Sequence, residues 1–240
     1  MKESGNHLRQ SVSIYDLRDP TRAQRFFLTA GIAACVGVAW WLLFGEVISG
    51  IATRITSAAP AADPIRRLLL ALALTIYFIR LLFTQFVFLR RAIRWGEAIT
   101  ITIWVAFIYL LLSLTARANT HPAGLVTTTG IALFLLGSWM NSWSEYQRHR
   151  WKQRPENHGR LYTAGLFRFC RHPNYFGDLI AFSGLALIAG RWITGIIPAI
   201  ILVGFVFVNI PMLDAHLADR YGEEFITWAR RTRKLIPFVY

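Results

Sequence analysis

GLFRFCRHPNYFGDLI, residues 165–180, is the stretch on which the reading of this chain turns. Arg168, Arg171, His172, Asn174, Tyr175 and Asp178 fall within eleven positions, and the chain then runs straight into residues 179–190. Before Arg191 that run carries no charge. Pro173 suits the first turn of a helix, where a missing N–H costs nothing. A helix that begins there puts Asn174 and Asp178 on one face, four residues apart. An amide and a carboxylate then project together from the first turn of an apolar helix. Arg171 and His172 stand at its electropositive start, a place where anions bind. A helix cap with ordinary basic flanks is the plainer reading. A carboxylate one turn into a lipid-facing helix is costly, which favours function.

Working outward, the composition is that of a membrane protein. Of 240 residues 55% are hydrophobic and 14% aromatic, with a mean hydropathy of +0.40. The apolar residues come in runs long enough to cross a bilayer. Residues 26–44, 98–116, 122–144 and 192–213 are free of charge, 68–89 is interrupted only by Arg80, and 174–190 only by Asp178. Six spans in an all-α polytopic bundle are therefore expected, with 26–240 as one domain. Residues 1–25 form a polar lead that is not a secretory signal. The run 174–190 is short, so its first turn is expected in protein or at a wet cavity.

A net charge of +13 invites a nucleic-acid reading, but the positions of the charges argue against it. With six spans and both termini on one side, 20 of the 26 Lys and Arg residues fall on that side. That is the positive-inside pattern, and it predicts cytoplasmic termini. Cys35 and Cys170 are far apart and give neither a disulfide framework nor metal spacing.

Other polar groups gather on the same side. Residues 137–160, GSWMNSWSEYQRHRWKQRPENHGR, place Asn141 and Glu145 on one helical face, continued by Arg148 and Lys152. Such a stripe suits an anionic ligand, whereas Arg150 and Arg154 read as contacts to anionic lipid headgroups. Arg80 lies nearly three turns inside its span. It either snorkels or pairs with a carboxylate in the bundle. Trp104 and Tyr109 read as packing residues. In the tail, residues 213–240, Leu213, Leu217, Tyr221, Phe225 and Trp228 recur at helical spacing and predict an amphipathic C-terminal helix. The aromatic end 237–240 is expected to be buried. Asp214, His216 and Tyr221 carry the tail's chemical interest.

Basic groups for phosphates, carboxylates for ribose hydroxyls and amides for a base together describe a nucleotide site. No GxGxxG, P-loop, GxSxG or His/Cys zinc cluster is present in the sequence.

Arg171–Asp178, RHPNYFGD, and the tail resemble the membrane reductases that include steroid 5α-reductases and sterol double-bond reductases, and most closely their bacterial DUF1295 branch. The tail pattern is matched by Asp214, His216, Arg220-Tyr221-Gly222 and Ile236-Pro237-Phe238-Val239-Tyr240. Asn141 and Glu145-Tyr146 resemble an upstream N-x-x-x-D-Y, Lys152 and Arg160 its following basic residues, and Tyr77-Phe78-Ile79-Arg80 an earlier Y-F-x-R. The match covers 137–240 firmly and the earlier chain weakly. It implies a membrane enzyme with NADPH as hydride donor; of a bacterial inner membrane and an endoplasmic reticulum, the bacterial inner membrane is expected. Asn141, Glu145, Lys152, Arg160, Arg171, His172, Asn174, Asp178, Asp214, His216 and Tyr221 would line the cofactor pocket. A lipid or steroid-like enone would enter from the bilayer. Tyr77, with Glu46 as the one carboxylate near the right distance upstream, would engage its carbonyl oxygen.

The isoprenylcysteine carboxyl and phospholipid methyltransferases, which use S-adenosylmethionine, share an RHP-x-Y-x-G core. There the residue after the glycine is usually apolar or aromatic, and a Glu-Glu pair opens the tail. Here Asp178 follows Gly177 and Asp214-Ala215 replaces the pair, which favours the reductase. A lipid-binding scaffold without catalysis is the non-enzyme alternative.

Overall fold

The computed structural model describes residues 21–45, 63–89 and 91–240. Residues 1–20, 46–62, among them Glu46, and residue 90 lie outside the described residues. Six long helices and one short helix organise the described chain: α1 Arg22–Phe44, α2 Pro64–Phe88, α3 Trp95–Arg117, α4 Leu125–Lys152, α5 Pro173–Ala189, α6 Trp192–Tyr221 and α7 Glu223–Arg231. The result is an all-α polytopic membrane bundle. α1, α2, α3 and α6 are long and apolar enough to cross a membrane. α5 is shorter, at 17 residues, and α4 turns polar in its second half, from Asn141 onward.

The helix boundaries follow local chemistry. α5 begins at Pro173, as the missing N–H predicts, and ends at Gly190, whose φ of 75° closes the last turn in the left-handed region. The last long helix departs from the expected limit at residue 213. It continues through Pro211 to Tyr221, because a π-helical turn at Phe205–Asn209 absorbs the proline's missing hydrogen bond. Gly222, with φ 51° and ψ −127°, then turns the chain into α7. The expected single amphipathic segment is thereby cut in two. Leu213 and Leu217 sit on α6, and Phe225 and Trp228 on α7.

Side-chain bonds between helix ends fix an alternating arrangement. At one end Arg25 donates to the carbonyls of Leu89 and Arg91, and Ile93 N–H donates to Thr21 Oγ1. At the other end Arg67 donates to Leu43 O, and Arg117 to Leu42 O and Gly45 O. Arg66 there donates to Ile188 O at 2.8 Å, His121 O at 3.3 Å and Pro122 O at 3.2 Å. Asn119 donates to Ala189 O and Gly190 O. Arg66, Arg67 and Arg117 therefore neutralise helix C-termini, where orphan carbonyls and the helix dipole favour a cation.

α4 and α5 form the closest pair, and glycines make it possible. Gly130 and Gly137 on α4 meet Gly184 and Gly177 on α5. A methyl group at Gly177 would lie 2.6 Å from Asn141 N, and one at Gly130 would lie 2.8 Å from Gly184 O. Small residues at heptad spacing bring the two backbones together, as membrane helix pairs require. The core lies between this pair and α1–α3, around Leu70, Leu74, Ile108, Leu112, Phe134 and Leu185. Trp104 packs against it, and Tyr109 is buried with its hydroxyl donating to Leu74 O.

The C-terminal end differs from the expectation. Leu235 is fully buried, but Phe238 and Val239 are exposed. Backbone pairing explains this: Arg171 N–H donates to Arg233 O and His172 N–H to Lys234 O, which commits residues 233–235 and turns the chain outward after them.

Candidate functional site

Two polar clusters share the helix end where α5 starts. The first is a pocket between α4, the 161–167 segment, the start of α5, α6 and α7. Arg148, Lys152, Arg171, His172 and Asn174 line it with Tyr162, Phe167, Leu213, Leu217 and Trp228. Behind this lining stand the residues that orient it. Asn174 Nδ2 donates to Glu145 Oε1 at 2.9 Å, and Arg148 donates to Glu145 Oε2 at 2.5 Å. Asn141 Nδ2 donates to the Asn174 backbone carbonyl at 3.0 Å. Asp214 accepts from His172 Nε2 at 2.9 Å and faces Arg171 Nη2 at 3.2 Å. Lys152 Nζ donates to the Tyr221 hydroxyl at 3.1 Å.

The pairing Asn141–Asn174–Glu145 follows from sequence spacing. The i,i+4 pair on α4 faces the first turn of α5 because Gly137 and Gly177 let the backbones touch. His172 stacks on Tyr175, and Tyr175 on Phe205 with ring centroids 4.5 Å apart, so the α5 start is braced against α6. Burial lowers the His172 pKa from its usual 6.5, against the opposing pull of the Asp214 carboxylate. The neutral ring donates Nε2–H to a carboxylate that can only accept. Burial pushes the Cys170 thiol up to about 12, which keeps it an inert core residue.

The second cluster lies one turn further along α5. Arg80 Nη2 donates to Asp178 Oδ1 at 2.7 Å, and the Arg80 guanidinium lies 4.6 Å from the centre of the Tyr77 ring. Tyr77 in turn packs edge-on against Phe182. Arg80 thus pairs with a carboxylate inside the bundle, the second of the two readings its sequence position left open. Asn174 and Asp178 share a face yet serve different clusters: α4 meets the first and α2 the second.

The structure brings Asn141, Glu145, Lys152, Arg171, His172, Asn174, Asp214 and Tyr221 together. Asp178 stands with Arg80 and Tyr77 and does not line the pocket. Arg160 is exposed and His216 lies outside the pocket lining. Glu46 lies outside the described residues. Arg148, Tyr162, Phe167 and Trp228 complete the pocket. For Arg148 the i+7 position after Asn141 was a sequence signal. For Trp228 none existed, because its place depends on the turn at Gly222.

The pocket chemistry fits an anionic cofactor. Arg171 Nε and Trp228 Nε1 are buried donors without a partner among the described residues. Lys152 is held by a phenol rather than by a carboxylate. Buried donors are normally satisfied, so two unmet ones lining one pocket, beside a lysine that no carboxylate pairs among the described residues, suit acceptor oxygens of a ligand.

Comparison with known proteins places the molecule. The family described as "Protein of unknown function (DUF1295)" matches residues 98–232, more than half of the chain, and the chain belongs to that family. Its similarity to characterised proteins runs in two directions. It is 38% identical over 109 residues to the "Probable O-methyltransferase ustE" of Ustilaginoidea virens, covering 42% of this chain and 38% of that protein. It is 32% identical over 91 residues to Protein-S-isoprenylcysteine O-methyltransferase B of Arabidopsis thaliana, covering 38% and 46%. It is 29% identical over 120 residues to 3-oxo-5-alpha-steroid 4-dehydrogenase 1 of Rattus norvegicus, covering 50% and 43%. The chain spans less than half the length of each of these relatives.

Proposed function

We propose that this DUF1295 protein is a membrane-embedded oxidoreductase that uses NADPH to reduce a carbon–carbon double bond of a lipid or steroid-like enone. The observation that carries the reading is the pocket lined by Arg148, Lys152 and Arg171, where Arg171 Nε is buried without a hydrogen-bond partner. NADPH carries several phosphate charges, whereas S-adenosylmethionine carries a sulfonium cation and no phosphate. Set against the Glu145 and Asp214 carboxylates that orient Arg148 and Arg171, the three basic residues leave the pocket net positive through Lys152, which favours the first ligand over the second.

Arg148, Lys152 and Arg171 would hold the phosphates. Asn174, oriented by Glu145 and Asn141, would present its amide to the rest of the nucleotide. When bound, the cofactor supplies a hydride to the β-carbon of the enone and leaves as NADP⁺. Tyr77 lies beside the second cluster, where a substrate carbonyl would be polarised. Its hydroxyl donates the proton that reaches the α-carbon and is resupplied by water. The apolar walls exclude bulk water from that step. By the positive-inside rule the pocket faces the cytoplasm, where NADPH is made.

Similarity to methyltransferases supports a second reading, methyl transfer from S-adenosylmethionine to a prenyl-cysteine or lipid acceptor. The two separate in one assay on the detergent-purified protein. Oxidation of NADPH dependent on an added 3-oxo-4-ene steroid or linear lipid enone supports the reductase. Transfer of labelled methyl from S-adenosylmethionine to an isoprenylcysteine acceptor, with no NADPH oxidation, replaces it.

A further inference from the structure

We infer that Arg80 is the carbonyl-recognising residue of the bundle: its free guanidinium N–H groups, beside Tyr77, form a site for a neutral ketone oxygen. The reaction it serves rests on the reductase reading above, but the binding claim is separate from it. Arg80 is 8% exposed, and among the described residues only Nη2 has a hydrogen-bond partner, Asp178. Nε and Nη1 are buried without one. Arg66, equally buried at 4%, shows the alternative: both of its terminal nitrogens donate to main-chain carbonyls, and only Nε is left over. The Tyr77 hydroxyl also stands within reach of the guanidinium, but Nε and Nη1 make no bond of good geometry, and buried N–H groups so placed are costly.

The charge balance selects the ligand. Asp178 already neutralises Arg80, so a carboxylate or phosphate at Nε and Nη1 would bring a second anion against Asp178 in a low-dielectric interior. A ketone oxygen accepts the same N–H groups without adding charge. As the conjugated double bond is reduced, electron density moves onto that oxygen, and the preset donors stabilise it there. Arg80 then holds the oxygen while Tyr77 donates the proton.

The surroundings fit. Asp178 keeps 22% of its side chain exposed, while Arg80 Nε and Nη1 are themselves covered, so a ketone oxygen reaches them by displacing side chains packed there. The helix carrying Tyr77 and Arg80 passes into a π-helical turn at Thr84–Phe88, and such turns are frequent at functional sites. Asp178 lies four residues beyond the pocket-lining Asn174 on one helix, a rise of about 6 Å. The carbonyl site and the cofactor pocket are therefore adjacent along α5, as hydride transfer between their ligands requires.

The test uses the full chain in detergent and paired probes: a 3-oxo-4-ene steroid with its 3-deoxo counterpart, and a linear enone with its hydrocarbon and carboxylate counterparts. Binding is read by quenching of intrinsic tryptophan fluorescence. At least one ketone should bind roughly tenfold or more tighter than its deoxo partner and tighter than the carboxylate. Its carbonyl stretch should move to lower frequency when bound. Arg80→Met combined with Asp178→Asn removes both charges together and leaves no lone buried ion. That variant should lose the ketone preference and the frequency shift while keeping its stabilisation by NADPH. Lack of a ketone preference in the parent protein overturns the inference. So does a preference that survives in the double variant, or tighter binding of the carboxylate. A ketone preference together with stabilisation by S-adenosylmethionine alone would remove the reductase reading and leave the Arg80 site standing.

Discussion

The two ends of the bundle use arginine in opposite ways. At the end where α5 stops, Arg66, Arg67 and Arg117 spend their donors on helix C-terminal and loop carbonyls. At the end where α5 starts, Arg148, Arg171 and Arg80 each meet a carboxylate. A buried Nε is unmet on Arg66, Arg67 and Arg171 alike, and Arg80 adds Nη1. The first set completes the fold, since a cation on a carbonyl cluster closes a helix end. The second is paired with carboxylates, which orient it beside the pocket and the Tyr77 cluster. Residue type is the same at both ends. What differs is the partner, and the partner separates structure from function.

Substitution at the first end should give the largest effect on stability. Arg66→Met leaves the carbonyls of Ile188, His121 and Pro122 without their donor, so thermal unfolding in detergent should show a loss of about 3 kcal/mol. NADPH affinity of the folded fraction should be unchanged. A loss of affinity without a loss of stability would erase the contrast between the ends. Arg171→Met is the mirror experiment. It should weaken NADPH binding by about 1.5–3 kcal/mol, the range of hydrogen bonds to charged groups, with a smaller change in melting temperature than Arg66→Met. Gly177→Ala tests what joins the two clusters. Its new methyl meets Asn141 N, so it should cost about 1–3 kcal/mol by overpacking and disturb the Asn141–Asn174–Glu145 chain as well. Unaltered stability would mean that α4 and α5 can part without penalty.

The smallest effect is a pH dependence confined to the second end. The His172 pKa lies below its ordinary 6.5, chiefly through burial, so the unfolded chain binds more protons than the native one once the pH drops below that value. The stability that the neutral ring contributes is complete above pH 6.5 and is lost as the pH falls through the lower folded value. His172→Gln should flatten this part of the stability curve, followed by thermal unfolding between neutral and mildly acidic pH. An identical slope in the variant would assign the dependence to another group.

Much of this contrast was written in the sequence. Charge-free runs marked the long helices, because a buried or lipid-facing helix cannot afford many ions, and Pro173 marked the start of α5. The i,i+4 spacing of Asn141 and Glu145 and the basic positions that follow marked one wall of the pocket. What stayed hidden depended on distant packing. Asn174 and Asp178 share a face, yet that face is divided between α4 and α2, so spacing alone could not separate their roles. The α6 helix continues through Pro211 only because a π-helical turn precedes it. The seven-residue intervals Gly130–Gly137 and Gly177–Gly184 were present in the sequence, but only contact between the helices shows that they oppose each other.

The most direct measurement is a thermal shift of the detergent-purified protein with NADPH, NADH and S-adenosylmethionine in turn. A ligand at 100 times its dissociation constant adds about 2.7 kcal/mol of stability. The account predicts stabilisation by NADPH, reduced by half or more in Arg171→Met at the same concentration, and none by S-adenosylmethionine. Stabilisation by S-adenosylmethionine and not by NADPH would contradict it and make the cationic pocket part of a methyltransferase.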